Sequence, residues 1–188
     1  MQSGRSARSL GEDNWGIGAG ISPTLSVEGG YGVSQDLDVG VLLEYQFGFV
    51  ASVFTKYSFI NRDEGFSLAG YAGAFTGGSF ATTRGFYAGP LLSYRRKWFE
   101  PYLLMRYTYV HWEAGDLSSD EQQDSFIDLV SWEDTSFNYL QTDLGINFWT
   151  SPTFAIVPSA KIFTFFGRNV ETDTSVIPGL SFTFLFKE

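Results

Sequence analysis

A single histidine, His111, stands two residues before Glu113 in the segment Tyr109-Val110-His111-Trp112-Glu113. A histidine beside a carboxylate is the beginning of general-base chemistry, but acyl transfer or hydrolysis also needs a nucleophile or an activated water within hydrogen-bond reach. No His-x-Ser pairing occurs in this stretch, and its alternation sets His111 among apolar neighbours. An interfacial, aromatic-like role is therefore expected of His111. An outer-rim hydrolase or acyltransferase, lipid-modifying in kind, is the alternative that it leaves open.

Six further ionisable residues fall on the polar face of alternating segments: Glu28, Glu44, Lys56, Arg106, Asp143 and Lys161, three acids against three bases. Arg106, Asp143 and Lys161 lie at the middle of consecutive segments. Counting back from Ser151-Pro152 sets Lys161 opposite Gln141, with Asp143 its diagonal neighbour. Such a set can fill a narrow interior in pairs, because an isolated charge in a low-dielectric core is costly. It can also form a constriction that selects small solutes by charge.

The stretch 113–136 is a third candidate, with Glu113, Asp116, Asp120, Glu121, Asp124, Asp128, Glu133 and Asp134. Carboxylates suit calcium, yet this spacing matches no EF-hand and lacks its glycine, so a solvated acidic loop without metal or cofactor is expected. Within it Phe126, Ile127, Leu129 and Trp132 are too apolar for free solvation, and are expected to fold over a mouth or contact a partner. The glycines between Gly16 and Gly20 open no helix and so are no phosphate loop; they let strands curve and pack closely.

The elements that carry these residues are strands. Period-two alternation bounded by turn residues marks ten of them, at about 13–21, 24–33, 37–47, 49–60, 66–75, 85–95, 99–112, 137–149, 153–166 and 176–186. The third is the cleanest, with Leu37, Val39, Val41, Leu43, Tyr45 and Phe47 on one face against Asp38, Gly40, Leu42, Glu44 and Gln46. A polar loop near 76–84 is expected between the fifth and sixth. Aromatics make up 18% of the chain and crowd the ends of the apolar faces, as Tyr31, Tyr57, Phe59, Tyr94, Phe148, Phe184 and Phe186 do. Alternation with ring-rich ends is the pattern of a transmembrane β-barrel.

Composition agrees. No run reaches the 18 or so apolar residues of a spanning helix. A net charge of −9 excludes a nucleic-acid partner, and the absence of cysteine excludes disulfides and thiolate metal sites. The fold expected is all-β: a single antiparallel transmembrane barrel, ten strands with eight as the alternative, short periplasmic turns and longer extracellular loops. Residues 12–188 form the barrel and 1–11 a flexible mature N-terminus, Met1 standing where a removed leader ended. An even strand number puts both termini on the periplasmic side.

Two segments carry a resemblance. GVSQDLDVGVLLEY resembles the strand-turn-strand of small outer-membrane β-barrel proteins of Gram-negative bacteria across a periplasmic turn, and GLSFTFLF is similar to their C-terminal strand, although Lys187 and Glu188 follow Phe186 where an aromatic last residue is usual. The resemblance implies a bacterial outer-membrane location, with membrane lipid and lipopolysaccharide as surroundings. The function expected is a non-enzymatic structural or partner-binding membrane component with a largely plugged lumen. A protein partner would be met through the outer loops or the N-terminus. The alternative is a narrow channel for small solutes or hydrophobic compounds.

Overall fold

A computed structural model describes residues 6–21, 25–45, 49–78, 81–114, 135–166 and 174–186. Ten strands follow one another: β1 (Trp15–Ile21), β2 (Leu25–Gly32), β3 (Leu37–Tyr45), β4 (Phe49–Ile60), β5 (Gly65–Gly78), β6 (Ala81–Arg95), β7 (Phe99–Ala114), β8 (Thr135–Ser151), β9 (Phe154–Phe166) and β10 (Thr174–Phe186). Each pairs antiparallel with its sequence neighbours, and β10 returns to pair with β1, so the sheet closes. Closure removes the unpaired edge that a spanning sheet cannot leave in hydrocarbon.

The seam shows how the alternation becomes two surfaces. Trp15 pairs with Phe186, Ile17 with Phe184 and Ala19 with Phe182 on the outer face, while Gly16, Gly18 and Gly20 face Leu185, Thr183 and Ser181 within. Around the cylinder the outward positions Ile17, Val27, Val41, Leu43, Val53 and Leu144 are exposed hydrophobics. Aromatic pairs belt both ends. Trp15–Tyr31, Tyr57–Phe59 and Phe154–Phe184 lie at the end where β1 starts and β10 stops, and Tyr45–Phe49 and Phe86–Tyr109 at the other.

From Phe49 to Tyr57 the strand climbs about 20 Å along the axis at ~3.3 Å per residue and ~40° of tilt, close to the apolar height of an outer-membrane barrel. An apolar cylinder between two aromatic belts is a membrane-spanning barrel, multi-pass in the bacterial outer membrane. β1 starts and β10 ends at its periplasmic end.

At that end the connections are tight. Val33 and Ser34 donate their N–H groups to the Leu37 carbonyl at 2.8 and 3.2 Å. Arg96 and Phe99 bond reciprocally around Lys97, which adopts a φ of 53°. The loop expected between the fifth and sixth strands is shorter than the alternation suggests, because pairing continues through Gly77↔Thr83 to Gly78↔Thr82. Glycine and threonine blur the hydropathy pattern there without interrupting the ladder.

One lumen position shows why small residues are placed where they are. At Gly40 any side chain would collide with the Phe54 ring and with the Gly29 carbonyl. Phe54 crosses the interior over this bare backbone. Gly40→Val is expected to lower stability by ~1–3 kcal/mol through overpacking, seen as an earlier urea midpoint of the heat-modifiable band on a gel; an unchanged midpoint would show that Phe54 has another place to go.

Candidate functional site

The lumen is organised in three levels, the lower two of them packed. At the periplasmic level residues 6–10 of the chain lie inside the barrel. Ser6, Ala7, Arg8 and Ser9 are buried, so this part of the segment expected to be a flexible N-terminus is instead an inserted plug. A buried segment must find partners for its own backbone. The Lys56 ammonium donates to the Ser6 and Arg8 carbonyls at 3.1 and 2.7 Å, Ser58 Oγ donates to the Ala7 carbonyl at 2.7 Å, and the Ala7 N–H donates to Ser93 Oγ at 3.2 Å. Leu10 N–H and the Ser9 hydroxyl donate to Asp38 at 3.0 and 2.6 Å.

Two ion pairs frame the plug. Lys56 Nζ lies 2.9 Å from Asp38 Oδ2, and Arg8 Nη2 lies 3.0 Å from Glu100 Oε2, all four side chains being almost wholly buried. Glu100 also accepts from Ser6 Oγ at 2.6 Å and Trp149 Nε1 at 3.1 Å. Two acids thus meet two bases, and extra hydrogen bonds satisfy the remaining lone pairs and protons, the condition under which buried charges are tolerated.

The middle level holds most of the ionisable residues expected in the lumen. Glu28, Glu44, Arg106, Gln141, Asp143 and Lys161 border one small void of about 40 Å³, packed round by Leu42, Tyr71 and Leu104. Arg106 donates to Gln141 Oε1 and stands over the Tyr87 ring, and Tyr102 Oη–H donates to Asp143 at 3.2 Å. Lys161 pairs in register with Asp143, and Gln141 with Phe163. That register differs from the count back from Ser151-Pro152. The β8–β9 hairpin turns on Pro152 and Thr153, with an irregularity between Trp149 and Ser151. Lys56, expected among these charges, lies instead with the plug.

Asp38, Glu100 and Arg8 were not singled out by type and spacing, because charges beside turns look like rim residues. Two signals were present: Asp38 falls on the inward set of the third strand, and Glu100 shares the face of Tyr102.

At the outer rim, on the membrane-facing side, His111 Nδ1 lies 2.9 Å from Ser136 Oγ, and Nε2 lies 3.4 Å from Glu113, which also pairs with Arg84. Ser136 is the hydroxyl that no local motif supplies; it arrives opposite His111 through the β7–β8 register. Tyr109 Oη–H donates to Ser136 Oγ at 3.1 Å. A histidine between a hydroxyl and a carboxylate becomes an acyl-transfer site only where donors converge on a developing oxyanion. Here His111 is paired with Arg84 on one side and Ser136 on the other, within β-ladders that occupy the neighbouring backbone N–H groups. The cluster ties three strands together at the belt. Among the described residues no group of His, Asp and Glu is arranged to hold a metal ion. Phe126, Ile127, Leu129 and Trp132 lie outside the described residues.

No protein-family model matches the chain, and no curated protein matches it. Among solved structures it is similar to the N-terminal β-barrel domain of Pseudomonas aeruginosa OprF, at 12% identity over 94% of this chain and 99% of that one, with a TM-score of 0.41. It is similar also to Ail, the attachment invasion locus protein of Yersinia pestis, at 12% identity over 93% of this chain and 99% of that one, with a TM-score of 0.33. A backbone structure of Ail in a phospholipid bilayer nanodisc gives 16% identity over 94% and 99%, with a TM-score of 0.34. Identities this low carry no function from one barrel to another.

Two outcomes test this site. Glu100→Ala removes the acceptor of Arg8, Ser6 and Trp149, and breaking a buried pair costs ~3–5 kcal/mol. A terminal segment can escape that cost by withdrawing, so trypsin is expected to cut after Arg8 in the folded variant but not in the folded wild type. Cleavage at equal rates in both would mean that the segment is not docked. At the rim, His111→Ala and Ser136→Ala are expected to leave hydrolysis of a p-nitrophenyl ester at the level of the wild type, and a wild-type rate well above both would establish an enzyme.

Proposed function

We propose that this chain is a non-enzymatic structural or partner-binding component of the bacterial outer membrane whose lumen is closed by its own N-terminal segment. The observation that carries this reading is the plug: residues 6–9 are buried and bonded to β3, β4, β6 and β7, beneath a middle level whose void measures only about 40 Å³. A void of that size holds a water or two, not a hydrated solute path. A narrow channel would require both levels to move, against the two buried ion pairs that hold the plug.

The working surface is then the outside of the barrel and its extracellular rim. Membrane lipid and lipopolysaccharide meet the apolar wall and its belts, where Arg84 and Glu113 lie partly exposed. A protein partner would be engaged from the rim, with the acidic stretch 115–134 joining β7 to β8 as the natural contact.

The refolded protein in a planar bilayer is expected to give no steady conductance, and Arg106→Ala and Asp143→Ala are expected to be equally silent. Folding would be verified in each case by heat-modifiable mobility. Steady steps in the wild type, with an ion selectivity that shifts in either variant, would replace this reading with a pore constricted at mid-barrel.

A further inference from the structure

The outer level of the lumen departs from what lies below it. A water-filled interior is lined by polar side chains. Here Phe75, Trp112, Phe137, Tyr139, Phe163 and Phe165 turn inward around a cavity of about 390 Å³. These rings cannot serve the membrane belts, because they stand on the lumen face. Those of the β8–β9 wall pack on one another, with centroids 5.6 Å apart for Tyr139–Phe165, 5.9 Å for Tyr139–Phe163 and 6.4 Å for Phe137–Phe165.

The floor is polar. Arg106 borders this cavity as well as the void beneath it, with its guanidinium 4.6 Å from the Tyr87 ring centroid. Its terminal nitrogen is engaged by Gln141, but its buried Nε–H has no hydrogen-bond partner among the described residues. The guanidinium that borders the chamber thus keeps donor capacity that the described residues do not take up.

We propose that this outer chamber binds an uncharged, largely apolar molecule of about two fused rings that carries one hydrogen-bond acceptor at its end. The ring body packs against the aromatic wall, and the acceptor meets the Arg106 guanidinium at the chamber floor. The volume lies within the ~300–1,000 Å³ of small-molecule pockets, which are mostly apolar with few polar anchors. Charge excludes an anion. Glu28, Glu44 and Asp143 against Arg106 and Lys161 leave the middle level with one acid in excess, and Glu44 also borders the chamber. A cation would meet Arg106. This site is independent of the plug, since a barrel closed below can hold a ligand above.

The test is equilibrium dialysis of 2-acetylnaphthalene against the full chain in nanodiscs, with empty nanodiscs as background. Saturable binding at one site per barrel is expected. Arg106→Met should weaken it by about tenfold or more, since hydrogen bonds to charged groups are the stronger kind. Ile177→Trp, which fills the chamber from β10, should abolish it, with trypsin resistance at Arg8 reporting that each variant is folded. The shape-matched 2-naphthoate and 2-naphthylmethylammonium should bind more weakly than the ketone. Four results overturn the proposal: no saturable binding to the wild type, as when other parts of the chain fill the space; binding unchanged in Ile177→Trp; binding unchanged in Arg106→Met; or either ion binding as tightly as the ketone.

Discussion

The Lys56 ammonium is the point on which the interior turns. It is buried at the periplasmic level, and its three N–H groups find the Asp38 carboxylate and the carbonyls of Ser6 and Arg8. Two of those acceptors belong to a segment that is no part of the barrel wall. A lysine projecting into an empty lumen would be solvated by water or would lose its charge; one that holds two main-chain carbonyls organises whatever passes above it. The second pair, Arg8 with Glu100, reverses the roles, for there the plug brings the cation and the wall the carboxylate. The interlock is charge-neutral, two acids against two bases.

Ordering a chain terminus costs ~1–2 kcal/mol of backbone entropy per residue. That cost is met here largely by satisfied buried polar groups. Serines and charges supply those polar contacts, while Ala7 and Leu10 add apolar packing against the interior cluster. The wall offers Ser58, Ser93 and Trp149 alongside the charged pairs. The interior of this barrel is thus held by hydrogen bonds together with a buried apolar cluster that takes in Ala7 of the plug, and its exterior by the hydrophobic effect.

The strand plan was legible because lipid on one side and lumen on the other enforce a two-residue period that loops interrupt. Facing follows from it: Glu28, Glu44, Arg106, Gln141, Asp143 and Lys161 all turned inward as their parity required. Long-range pairing was less legible. The Asp143–Lys161 register depends on a turn at Pro152–Thr153 and on an irregularity after Trp149, neither of which alters hydropathy. The approach of Ser136 to His111 depends on register across a long connection, so no local motif could announce it. The plug left the weakest trace of all. Ser6 to Leu10 is polar, short and terminal, and composition cannot tell a segment bonded by buried carboxylates from one bonded by water.

Polarity along the lumen runs opposite to what a conduit needs. A passage favours water at its entrance and a brief constriction within. This interior places a paired ionic lock at the periplasmic level, packed charges and leucines at the middle, and aromatic rings at the outer level. Water entering from outside would meet walls dominated by aromatic rings before the charged floor. Those rings cost stability to display and add nothing to membrane insertion, which the outward face already provides. Their position is explained if the barrel is a vessel closed at its base, with Arg106 as the boundary between the part that seals and the part that receives.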